Sequence, residues 1–133
     1  MTMTTIQPGT TGEQVITVTE EQTAFHLGSG GLKVFATPAM IALMEAAAVR
    51  AIDPLLPKGQ ASVGVAINVR HLAATPLGEQ VRARVEVTAV DGRKLTLRVQ
   101  AWDEHELIGE GEHIRFVIDI ARFQRRVEEK AAG

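Results

Sequence analysis

Apolar and polar residues alternate most regularly in the second half of the chain. VRARVEVT, residues 81 to 88, sets Val81, Ala83, Val85 and Val87 against Arg82, Arg84, Glu86 and Thr88. That two-residue period predicts a strand with one buried face. Asp91-Gly92 supplies a hairpin turn, after which KLTLRVQAW carries the apolar face on through Leu95, Leu97, Val99 and Ala101. A turn at residues 103–106 leads into LIGEGEHIRFVID, whose two glycines predict a bulge or a close backbone approach. Upstream, ASVGVAINVRH places Val63, Val65, Ile67, Val69 and His71 on one face and Ser62, Gly64, Ala66, Asn68 and Arg70 on the other. QVITVTE predicts a shorter strand from Gln14. Residues 1–13, rich in Thr, Gly and Pro without a period, read as a flexible N-terminal arm before a single domain over 14–133.

One stretch departs from the two-residue period. Thr37-Pro38 is a helix-start signal, with threonine able to cap free N–H groups and proline losing nothing at the first helical position. Asp53-Pro54 is the matching stop. Between Pro38 and Val49 the only charged or strongly polar side chain is Glu45, so this helix is expected to be surrounded by protein. The stretch before it, around Gly28-Ser29-Gly30-Gly31, reads as a loop that serves as a hinge or lid. Residues 120–130 predict a short charged terminal helix. A strand, a buried helix and a four-strand meander make an α+β domain, one antiparallel sheet curved around a central helix. Such a sheet keeps open edges and does not enclose the helix alone, so a homodimer or larger homo-oligomer is expected.

Composition narrows the chemistry. A chain of 133 residues holds one core large enough to fold without staples. Its net charge of -2 offers no footprint for nucleic acid or an anionic membrane. No apolar stretch reaches membrane-span length and the start lacks a signal-peptide pattern, so a cytoplasmic protein with no membrane partner is expected. Zero cysteines exclude disulfides, thiolate metal sites and a cysteine nucleophile. His26, His105 and His113 lack metal-ligand spacing, and neither GxGxxG nor GxxxxGK[ST] occurs, so no metal and no nucleotide-binding fold is expected.

The candidate residues follow from burial. A carboxylate in an apolar interior must be paired, neutral or facing a cavity. Glu45 is therefore either a structural carboxylate bonded to backbone or Arg50, or a functional one; the five-residue spacing to Arg50 disfavours the ion pair. His71 ends an aliphatic row, where it serves either as a satisfied core histidine or as an acid, base or orienting donor. Capping fully explains Thr37. On an ideal helix eight residues separate Thr37 from Glu45 by about 12 Å along the axis, too far for a hydrogen bond. Gly64, placed on the outward face, either relieves strain in a curved sheet or admits a ligand. Arg93, Lys94 and Arg115 read equally as solvated strand faces or as phosphate binders, so they are not assigned to the site.

VFATPAMIALMEAAAVRAI followed by SVGVAINVRHLAATP resembles the hotdog-fold thioesterases, in particular the fluoroacetyl-CoA thioesterase family, over about residues 34–123. The resemblance implies hydrolysis of a small acyl-CoA to the acid and CoA, with CoA entering as part of the substrate and no cofactor besides. It implies Thr37, Glu45 and His71 as catalytic positions, with Phe35 and Gly64 at the substrate and the Gly64 N–H on the thioester carbonyl. Glu45 would either attack the carbonyl or activate water. GSGGLKV stands where the family's fluoroacetyl-CoA enzyme has an acidic, phenylalanine-bearing lid, so an ordinary short or aromatic acyl group is expected as much as a fluorinated one. Two other readings compete: a non-catalytic acyl-CoA or acyl-acid binding dimer, and a hotdog enoyl-thioester hydratase or dehydratase.

Overall fold

The computed structural model describes residues 6–133. Five strands, β1 (Thr11–Thr17), β2 (Gln60–His71), β3 (Gln80–Asp91), β4 (Lys94–Trp102) and β5 (Leu107–Asp119), form one antiparallel sheet in the order β1-β3-β4-β5-β2. Helix α1 (Ala24–Leu27) is a single turn, α2 (Thr37–Ile52) is the central helix and α3 (Ile120–Ala132) closes the chain. Two short connections order the meander. Gly92 takes a φ of 61° between β3 and β4, a left-handed conformation that glycine adopts without steric cost. Asp103 Oδ1 accepts the His105 and Glu106 N–H groups at 2.8 and 2.9 Å, turning β4 into β5.

The alternation in β3 and β4 becomes the core. Val81, Ala83, Val85, Val87, Leu95, Leu97, Val99 and Ala101 are all fully buried. Met40, Leu43, Met44, Ala47, Ala48, Ala51 and Ile52 of α2 lie against them. Removing each large aliphatic side chain from water contributes about 1.5–3 kcal/mol, so this contact holds the helix on the sheet. Gly109 in β5 lets the helix settle closely, because a Cβ there would meet Met40 Sδ at 2.5 Å.

Two expectations change. The first strand begins at Thr11, not Gln14, and Ile6 is 2 % exposed within the core; the expected arm is thus tied down at Ile6 and from Thr11 onward, and residues 1–5 lie outside the described residues. The second change is in β2, where the register shifts between Gly64 and Ala66. This bulge sets an extra residue into the strand and reverses the sides before it. Ile67 and Val69 stay with the core, but Val65 is 50 % exposed and Ser62 is buried, so Gly64 is not on the outer face. As expected of a single sheet, one chain does not enclose α2: Pro38, Ala42 and Val49 are exposed, since the sheet covers only one side of the helix.

Candidate active site

The sequence-expected residues assemble in two groups along α2. At its start, Ala36 and not Thr37 takes the cap position, with Thr37 and Pro38 as the first helical residues and no side-chain cap. The Thr37 hydroxyl is released from capping and lies 2.7 Å from His71 Nδ1, bridging helix start and the end of β2. The other ring nitrogen of His71, Nε2, is buried and has no hydrogen-bond partner among the described residues. Burial lowers the His71 pKa below its ordinary value of 6.5, so the imidazole is neutral near pH 7. Phe35, 1 % exposed, meets this ring edge-on with centroids 6.5 Å apart. A cavity of about 350 Å³ opens here, lined by Thr37, His71, Phe35, Val34 and Ala73 among others. Its volume is in the range of small-ligand pockets.

Glu45 belongs to the second group, midway along α2. Its side chain is 44 % exposed, and Oε2 lies 3.8 Å from Arg115 Nη1. The bulge in β2 turns Gly64 toward this carboxylate: a Cβ on Gly64 would stand 2.8 Å from Glu45 Oε2 and 3.1 Å from His113 Cε1. The missing side chain therefore makes room for the carboxylate, and relief of curvature is not needed to explain the glycine. Arg50, the alternative partner, donates instead to Gln14 Oε1 at 3.1 Å.

Behind Glu45 lies a buried polar network that local sequence reading did not identify. Arg115, which the sequence left as either a solvated strand residue or a phosphate binder, is 4 % exposed. It donates from Nε to Ser62 Oγ and from Nη2 to the Ser62 carbonyl, each at 2.9 Å, and from Nη1 to His113 Nε2 at 3.1 Å. Ser62 in turn donates to Asp53 Oδ1 at 2.6 Å. His113 Nδ1 donates to the Ala66 carbonyl at 2.8 Å, leaving Nε2 as the acceptor that Arg115 needs. Burial, reinforced by the Arg115 charge, holds the His113 pKa below 6.5, against the opposing pull of the Ala66 bond and Glu45. Burial also lowers the Arg115 pKa below its ordinary value, opposed by Asp53 and Glu45; the guanidinium stays charged. The only sequence signal for this network was a set of polar residues at alternate positions of β5, which the bulge in β2 made intelligible.

The two groups do not touch. No hydrogen bond joins Glu45 to Thr37 or His71 among the described residues, and the eight-residue offset along α2 corresponds to about 12 Å. Glu45 does not line the cavity beside His71. Among the described residues no cluster of three or more His, Asp or Glu side chains could hold a metal ion.

Comparison with known proteins decides the family. The model of the fluoroacetyl-CoA-specific thioesterase family matches residues 18–121. The chain belongs to this family. It is a hotdog-fold thioesterase, and the family comprises acyl-CoA thioester hydrolases. The fluoroacetyl-CoA thioesterase of Streptantibioticus cattleyicolor is 47 % identical over 98 residues, which cover 74 % of this chain and 70 % of that protein. A solved structure of the fluoroacetyl-CoA thioesterase FlK superposes with a TM-score of 0.87 at 39 % identity, covering 94 % of this chain and 97 % of that one. A thioesterase superfamily member from Thermus thermophilus gives 0.87 at 30 % identity over 98 % of both chains. The curved five-stranded sheet around a central helix is thus the hotdog fold expected from the sequence.

Proposed function

We propose that the chain hydrolyses a small acyl-CoA to the free acid and CoA, with Glu45 as nucleophile or general base and His71 assisting. The observation that carries this reading is Glu45 itself: the one carboxylate on an apolar helix, half-exposed, facing the gap left by Gly64. Its distance of 3.8 Å from Arg115 is longer than the roughly 2.7–2.9 Å of a charge-assisted hydrogen bond. The guanidinium therefore orients the carboxylate without sealing it. A thioester expels a thiolate, a good leaving group, so a positioned nucleophile and donors for the developing oxyanion matter more than a strong acid. Water and these side chains complete the reaction, with no metal or redox cofactor. The cavity beside Phe35 and His71 suits a short or aromatic acyl group.

The active form in this reading is a homodimer in the cytoplasm, a compartment that a chain without cysteine suits. Three features support pairing: β2 is an edge strand, the outer side of α2 exposes Pro38, Ala42 and Val49, and the Thr37–His71 pair stands apart from Glu45 of the same chain. A second copy packed on that side covers the helix and brings a further His71 within reach of Glu45.

Thiol release from a panel of acyl-CoAs, with Glu45→Ala as control, tests the reaction. Turnover that the substitution abolishes is expected; no turnover on any thioester, or turnover indifferent to the substitution, rejects it. A change in enoyl absorbance without free thiol would instead indicate a hydratase. Mixing inactive Glu45→Ala and His71→Ala chains tests the pairing. Activity returns in the mixture if Glu45 and His71 of one site come from different copies, and stays absent if each site is built from one copy.

A further inference from the structure

At the Gln60 end of β2, the far end of that strand from His71, a cavity of about 440 Å³ is lined by Arg93, Val117, Asp119, Arg122, Phe123 and Arg126. Arg93 is anchored: its Nη1 donates to the Val117 carbonyl at 3.3 Å and lies 3.5 Å from Asp119 Oδ2. Asp119 also accepts from Gln60 Nε2 at 3.4 Å. Arg122 and Arg126, one turn apart on α3, have no ion pair or hydrogen bond among the described residues. Like charges at that spacing repel, and an anion placed between them removes the repulsion. Three guanidinium groups thus face one carboxylate in a chain whose net charge is -2. The start of α3 adds to this positive field, since Asp119 makes no side-chain cap there. Phe123, 43 % exposed, supplies a flat apolar wall to the same cavity.

The position of the cavity matters as much as its charge. Arg115, beside Glu45, and Val117, in the cavity, lie two residues apart on the inward face of β5, about 7 Å along the strand. Asp119, where α3 begins, is about 13 Å from Arg115 by the same measure. A ligand suited to both ends carries an electrophilic carbon at one end, a slender arm, and an aromatic group bearing several phosphates at the other.

We propose that the Arg93, Arg122 and Arg126 cavity holds the 3′-phosphorylated adenosine diphosphate of the CoA substrate, with its phosphates on the arginines and its base against Phe123. This assignment rests on the thioesterase reading of Glu45. The test compares acyl-CoA with the matching acyl-pantetheine, which lacks the nucleotide, in an Arg122→Gln/Arg126→Gln double variant. Both positions are exposed on α3 and glutamine is a good helix former, so the fold is retained. KM for acyl-CoA should rise about tenfold or more with kcat unchanged, while both constants for acyl-pantetheine stay as they were. Calorimetry with adenosine 3′,5′-bisphosphate should show binding to the wild type that weakens in the double variant and with added salt. Equal effects on the two thioesters, bisphosphate binding indifferent to the substitutions, or a change in sedimenting mass that marks the surface as a subunit contact would each overturn the assignment. Bisphosphate binding lost in the variant, alongside a wild type that releases no thiol, would uphold this site and refute the hydrolytic reading instead.

Discussion

The two halves of the sheet meet the same helix and do different work. β3 and β4 present an unbroken row of aliphatic side chains to α2, and every member is fully buried. β5 and β2 present His113, Arg115 and Ser62 to the stretch of α2 that carries Glu45, joined by hydrogen bonds and by a bulge that brings Gly64 to the inner side. The first half gains stability from non-directional burial. The second keeps charged groups in a partly dry site, where each must be held by specific partners. The buried polar groups around Glu45 are thus gathered beside the bulge in β2.

Substitutions should separate these halves. The largest effect is expected from Glu45→Ala, which should lower kcat/KM by about 10²–10⁴-fold, the range for a positioned acid–base group, with the melting temperature nearly unchanged; thiol-release kinetics and a melting curve read both. Leu97→Ala should do the reverse. Truncating a fully buried leucine in β4 should cost about 2–5 kcal/mol of stability in denaturant titration, while folded protein keeps its kcat. If activity fell with this variant as steeply as with Glu45→Ala, the division between halves would be wrong. Gly64→Ala should fall on the functional side. Its new Cβ would stand 2.8 Å from Glu45 Oε2, and the displaced carboxylate should lose about 10–100-fold in kcat/KM. The flexible end of the side chain can move, so thermal unfolding should register little.

Ser62→Ala couples the two properties. It removes the acceptor for Arg115 Nε and the donor to Asp53, leaving buried polar groups unpaired at a cost of about 1–3 kcal/mol. Activity should fall as well, because Arg115 loses the side chain that aims it. The smallest effect is with pH. His71 and His113 both have pKa values held below 6.5 by burial. In the window beneath 6.5 the unfolded chain therefore binds more protons than the folded one, so their contribution is complete above that pH and is lost as the pH falls toward the folded values. The melting temperature should decline between pH 7 and pH 5, and His113→Asn should flatten that decline. An identical slope in the variant would show that this ring does not titrate as described.

The amino-acid sequence by itself determined the β3–β4 hairpin, the span of α2 and the oddity of Glu45, because periodicity, proline punctuation and turn chemistry act between near neighbours in the chain. It also carried Thr37 and His71 as separate candidates, and read Thr37 as a cap. Only the tertiary structure decided that Thr37 bonds His71 across 34 residues, that one extra residue in β2 turns Gly64 inward, and that Arg115 is buried against Ser62, 53 residues away. A bulge changes which face a residue occupies without changing its local pattern, and a long-range hydrogen bond has no period. Those features exist only once separate strands have paired.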